Sequence, residues 1–124
     1  SPMIRKVLLD TLTKAGFMNL KFFDDGMQTL EYLNLLAEKK GEAFDNDIDL
    51  LITDIEMPQL DGHALTRRIK EHKILKKLPI IIFSSLITDD LLHKGEAVGA
   101  DAQMSKPEIE NLVKLIDKLL NITK

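Results

Sequence analysis

The chain has 124 residues, a length that fits one domain built around one core. Its net charge of −3 gives no polyanion-binding surface at the level of the whole chain, and the lack of cysteine excludes both a disulfide framework and a cysteine-based zinc cluster. His63, His72 and His93 show no tight ligand spacing and are expected at the surface; no apolar run approaches the ~18 residues of a membrane span and no signal peptide is visible, so the expected compartment is the cytosol.

In chain order, Ser1-Pro2 reads as the N-cap and first position of a helix. Ile4, Val7, Leu8 and Leu12 recur at helical spacing, with Gly16 as a stop. Leu20-Lys21-Phe22-Phe23 reads as a short strand, and Asp24-Asp25-Gly26 turns into a second helix carrying Leu30, Leu33, Leu36 and Ala37. Lys39 to Asp47 is polar with a glycine and reads as a loop. Ile48 to Thr53 is expected to be a strand, and a third helix runs from about Gly62 to Glu71 with Leu65 and Ile69 on one side. The basic run Lys70 to Lys77 reads as a solvated surface, since no interleaved aromatics support nucleic-acid binding.

Pro79-Ile80-Ile81-Ile82-Phe83-Ser84 is the strongest strand signal, and its lack of alternation implies burial on both faces and a parallel sheet. Thr88-Asp89-Asp90 caps a fourth helix that ends near Val98-Gly99. Ala102 to Ser105 is a short last strand, and Pro107 starts a final helix with Ile109, Leu112, Val113, Ile116, Leu119 and Leu120 on one stripe. The alternation argues for a single domain, residues 1–124, of the open, doubly wound α/β class.

Asp54 concentrates the chemistry. It ends a hydrophobic strand and opens the irregular stretch Ile55-Glu56-Met57-Pro58-Gln59-Leu60-Asp61-Gly62, the position where open α/β sheets place ligands. Two later strand ends supply the hydroxyl of Ser84, 30 positions on, and the ammonium of Lys106, 22 further. Taken singly, Asp54 reads as a turn aspartate, Ser84 as a strand-end turn residue and Lys106 as a solvated lysine at a helix start. Asp61-Gly62 reads as the turn into the third helix, with no chemistry.

The segments Thr53-Asp54-Ile55-Glu56-Met57-Pro58-x-Leu60-Asp61-Gly62, Pro79 to Ser85, and Gly99-Ala-Asp-Ala-x-x-x-Lys106-Pro107, in this order and spacing, resemble a two-component response-regulator receiver (CheY-like) domain along essentially the whole chain. The resemblance implies a flavodoxin-like sheet of order 2-1-3-4-5. It implies that Asp54 accepts a phosphoryl group from a histidine kinase, with Ser84 and Lys106 contacting phosphoryl oxygens. It also implies Mg²⁺ near Asp54 and the backbone carbonyl of Glu56, and a cis bond before Pro107 that aims the lysine. The downstream output is a changed protein-binding face, with no nucleic acid or membrane bound by this domain.

The chain departs from the family pattern in three ways. The first strand and the acidic pair that ends it do not precede Ser1-Pro2-Met3, the aromatic switch position holds Gln103, and Ser84 stands for the commoner threonine. Removing an inner strand leaves orphaned backbone groups at roughly 1–3 kcal/mol each, against a whole-domain stability of about 5–15 kcal/mol. The strand is therefore expected from upstream residues or from another chain, as in a domain-swapped or strand-complemented dimer. Within the family, Gly99 to Ile109 and the long loop after the second helix resemble CheV-type chemotaxis proteins, which join a CheW-like domain to a C-terminal receiver. Two other classes stay open. One is a pseudo-receiver acting as a constitutive interaction module. The other is a haloacid-dehalogenase-type phosphatase, which needs an Asp where Glu56 stands.

Overall fold

A computed structural model describes residues 2–17, 19–23, 25–57, 59–85, 87–105 and 109–123. Lys106 and Pro107, with the expected cis bond between them, lie outside the described residues. The order is α1 (Pro2–Lys14), α2 (Gly26–Lys40), a 3₁₀ helix (Gly41–Asn46), β1 (Leu51–Thr53), α3 (Gly62–Glu71), a 3₁₀ turn (Leu75–Lys77), β2 (Ile80–Ser84), α4 (Asp89–Ala97), β3 (Ala102–Ser105) and α5 (Ile109–Thr123). Helix starts follow their capping residues: Asp25 accepts from Gln28 N at 2.8 Å, Asp61 from Ala64 N at 2.8 Å and Thr88 from Leu91 N at 3.2 Å. Gly16, at φ +98°, ends α1 where the sequence places the stop.

The sheet is parallel, in the order β1-β2-β3, with Leu51 opposite Ile80, Thr53 opposite Ile82 and Ser84 opposite Ser105. All five residues of β2 are buried, as its unbroken apolar run requires. The strand feeds two separate cores. Ile80 joins Leu30, Leu33, Leu65 and Ile69 from α2 and α3, whereas Ile81 joins Leu12, Leu112 and Ile116 from α1 and α5. Helices thus cover both faces of the sheet, the doubly wound arrangement the sequence predicts. Full burial of each such side chain contributes roughly 1.5–3 kcal/mol.

Four local expectations need correction. Leu20–Phe23 is not one of the strands of the described sheet β1-β2-β3, and side-chain contacts link it to α2. Its Phe23 ring lies 5.1 Å from that of Tyr32, and Lys21 Nζ sits 4.5 Å from the same Tyr32 ring. The expected loop Lys39 to Asp47 is mostly helical, because α2 runs to Lys40 and the 3₁₀ helix buries Phe44 completely. His63 is not at the surface but 2% exposed.

The basic run is also not simply solvated. Lys70 donates to Lys76 O (3.2 Å), Leu78 O (2.8 Å) and Asp101 Oδ2 (2.8 Å), with 18% of its side chain exposed. Lys77 pairs with Glu42 at 3.0 Å, and the hydrogen bond to that carboxylate holds its pKa above the ordinary value.

Between Leu20–Phe23 and Leu51–Thr53 opens a cavity of about 960 Å³. Its walls come from both layers, including Leu12, Phe17, Leu33, Phe83 and Ile116, and it reaches Asp54 and Glu56 at one end.

Two measurements test this architecture. Asp101 Oδ2 also accepts from Ile80 N at 2.7 Å, tying the start of β2 to the turn before β3. Asp101→Ala leaves that buried N–H unpaired, so urea unfolding is expected to show a loss of roughly 1–3 kcal/mol at unchanged slope; parity with the parent would refute the tie. Burial holds the His63 pKa below its ordinary 6.5, aided by the nearby Lys94 charge. Between 6.5 and that lower folded value the unfolded chain binds more protons, so stability falls as pH falls through this window. His63→Leu is expected to flatten that part of the stability–pH curve, and an unchanged slope would contradict it.

Candidate functional site at the carboxyl edge of the sheet

β1 ends at Thr53 and β2 at Ser84, so Asp54 and Ser84 both lie at the carboxyl edge of adjacent strands. Ser105, the last residue of β3, stands opposite Ser84 and immediately precedes Lys106 in the chain. Lys106 itself is outside the described residues. Of the three expected phosphoryl contacts, the structure therefore brings Asp54 and Ser84 to one edge and leaves the third undescribed. Ser84 is buried, Asp54 half-buried and Glu56 exposed.

The loop after Asp54 is held by close backbone contacts. Gly62 N donates to Ile55 O at 2.8 Å, and a Cβ at Gly62 would overlap the carbonyl of Asp54. A Cβ at Gly26 would likewise overlap the carbonyl of Leu60. The loop is thus pinned to the first residues of both α2 and α3, and only glycine permits either approach. Gln59 takes a left-handed φ of 72°, a further sign of a tightly specified turn. The Asp54 Oδ1 accepts from Ile55 N at 2.7 Å, and the Thr53 hydroxyl donates to the Asp54 carbonyl at 3.0 Å. The first bond orients the carboxylate, and the second holds the main chain that carries it.

Asp54 and Glu56 are the acidic residues at the end of the cavity. Among the described residues no group of three or more metal-ligating side chains comes together. Two carboxylates and a main-chain carbonyl are hard oxygen donors, and Mg²⁺ is commonly held by one or two carboxylates with water and phosphate oxygens. The residues present fit such a site in kind, with further oxygen ligands required.

Gln103 lies on β3 opposite Ile82. Its Nε2 donates to the Leu92 carbonyl of α4 at 2.9 Å, while its Oε1 is buried and has no partner among the described residues. Sequence reading missed the structural roles of His63, Lys70 and Gly95. Nothing in the local pattern marks a buried histidine or a saturated lysine, because their partners come from distant segments. Asp101, by contrast, sat in a noticed motif without an assigned role.

Comparison with known proteins agrees with this arrangement. The family model described as response regulator receiver domain matches residues 1–117. Over 122 residues the chain is 31% identical to the two-component response regulator ARR17 of Arabidopsis thaliana, covering 96% of this chain and 80% of that protein. It is 42% identical over 89 residues to a gliding motility regulatory protein of Myxococcus xanthus, covering 67% of this chain and 12% of that one. It is 28% identical to the chemotaxis protein CheV3 of Helicobacter pylori, covering 98% of this chain and 39% of that one. In two of these three relatives the chain spans well under half of the length. Among solved structures, the signal receiver domain of a histidine kinase from Syntrophus aciditrophicus superposes with a TM-score of 0.82 at 26% identity, covering all of this chain and 86% of that one. Parallel sheet, helices on both faces and a carboxylate at the strand ends thus have one common explanation: the chain belongs to the response regulator receiver domain family.

Proposed function

We propose that the chain is a phosphorylation-dependent switch that takes a phosphoryl group from a phosphohistidine of a kinase onto Asp54. The observation that carries this reading is the carboxylate of Asp54, oriented at the carboxyl edge of β1 by a glycine-pinned loop, with Ser84 on the same edge of the neighbouring strand. A carboxylate oxygen of Asp54 attacks phosphorus, the P–N bond to the imidazole breaks and the imidazole leaves. The Ser84 hydroxyl donates to one phosphoryl oxygen and the Lys106 ammonium to another, so positioning and charge neutralisation supply most of the rate. Asp54 and the Glu56 carbonyl would hold Mg²⁺, which when bound offsets the negative charge of carboxylate and phosphoryl oxygens. The chemistry is self-modification of a signalling domain. Membership of the receiver family sets the phosphatase alternative aside.

The likeness to CheV3, of which the chain covers 39%, supports a receiver carried within a longer chemotaxis protein. A second reading, a constitutive interaction module, draws on Gln103, whose amide already engages α4.

Two experiments test these readings. With a phosphorylated kinase or a small-molecule phosphodonor, the intact protein is expected to gain one alkali-labile phosphoryl group per chain. Asp54→Asn is expected to gain none, and Ser84→Ala and Lys106→Met to label roughly 10- to 1000-fold more slowly; equal labelling of Asp54→Asn would sink the proposal. Beryllofluoride with Mg²⁺ is expected to shift the amide spectrum of the intact protein, and no change at all selects the constitutive module.

A further inference from the structure

Helix α4 is held differently from every other helix. No residue of α4 belongs to either hydrophobic cluster, and Gly95 is its one buried residue. Leu92, its most exposed large apolar side chain, is 38% exposed. The apolar burial that secures α1, α2, α3 and α5 is therefore largely missing here, and polar contacts take its place.

The main polar contact is Gln103. Its stem crosses from β3 beneath α4, and its Nε2 donates to the Leu92 carbonyl at 2.9 Å. The amide occupies a notch that exists because position 95 has no side chain: a Cβ there would overlap the amide oxygen, amide carbon and amide nitrogen of Gln103. The helix thus carries a glycine in its interior, at about 1 kcal/mol in propensity relative to alanine, to admit one amide. The fit is incomplete, because Gln103 Oε1 is buried without a partner among the described residues. On another side α4 faces His63, whose Nε2 is likewise buried and unpartnered, with Lys94 and the Leu91 backbone close by. The two buried side-chain atoms left unpaired among the described residues both belong to groups that contact α4. Buried unpaired polar atoms destabilise the packed arrangement relative to one in which water reaches them.

We propose that the Gln103 amide is a latch: seated in the Gly95 notch and bonded to the Leu92 carbonyl, it secures an otherwise weakly packed α4, and its release frees that helix without disturbing either hydrophobic core. Both the amide donor and the absence of a Cβ at 95 are required. The latch resides in the fold and does not depend on Asp54 being phosphorylated.

Hydrogen exchange read by mass spectrometry on the intact protein, without phosphodonor, tests it. Gln103→Met keeps the length and apolar stem but removes the donor, and is expected to speed exchange in residues 89–97 about 10-fold or more while β2 and α5 are unchanged. Gly95→Ala is expected to do the same by displacing the amide. In a Gln103→Ala background the sign reverses: Gly95→Ala no longer meets the amide, and better helix propensity slows exchange of α4 and raises the thermal midpoint. Unchanged α4 exchange in both single variants overturns the latch. So does an increase shared equally by β2 and α5, or additive acceleration in the double variant. Should Gln103→Met fold poorly, the contrast of Gly95→Ala between the parent and Gln103→Ala backgrounds still decides.

Discussion

Burial of Ile80–Ser84 on both faces is the constraint around which the other elements arrange themselves. A strand whose every residue is buried must be covered twice, and its backbone N–H and C=O groups must be paired on each side. β1 and β3 satisfy the ladder, while α2 with α3 and α1 with α5 satisfy the two faces through Ile80 and Ile81 respectively. The entry to the strand is fixed by charge rather than by apolar contact. Asp101 accepts from Ile80 N and from Lys70, and Lys70 also closes the carbonyls of Lys76 and Leu78. One carboxylate and one ammonium therefore join α3, the turn before β2 and the turn before β3.

From that frame the site follows at the opposite end of the strands. Parallel strands end together, so a carboxylate after β1 and a hydroxyl at the end of β2 come to one edge without any dedicated contact between them. What the loop adds is orientation. Gly62 and Gly26 allow backbone-to-backbone approaches that a Cβ would forbid, and Asp54 is held by its own neighbours, Thr53 and Ile55. Loop residues held by a rigid scaffold are well suited to chemistry, because the cost of ordering them has been met before a substrate arrives.

The same molecule treats α4 in the opposite way. Where α5 presents an apolar stripe to the core, α4 is tied by an amide in a glycine notch and faces a buried imidazole. Apolar packing is non-directional and sums over many contacts, so it resists change smoothly. A tie of few polar contacts is directional and breaks in one step. A carboxylate held at the strand ends and a helix secured by a small number of polar contacts are complementary properties in a domain of the receiver family.

The sequence by itself determined the alternation of elements, the buried parallel strand and the placing of Asp54 and Ser84, because periodicity, caps and strand-end position are local properties of the chain. Gly62 and Asp61 were legible as a turn for the same reason. Several features were decided only by tertiary structure. Leu20–Phe23 has strand-like composition, yet it lies outside the described sheet β1-β2-β3, and aromatic and cation contacts link it to Tyr32. Phe44 turned a polar stretch into a 3₁₀ helix because a core lay within reach. His63 is buried, Lys70 saturated and Gln103 bonded across to α4 by partners as far as 31 positions away in sequence. Burial and hydrogen-bond partners depend on which segments meet in space, and local pattern carries no record of that meeting.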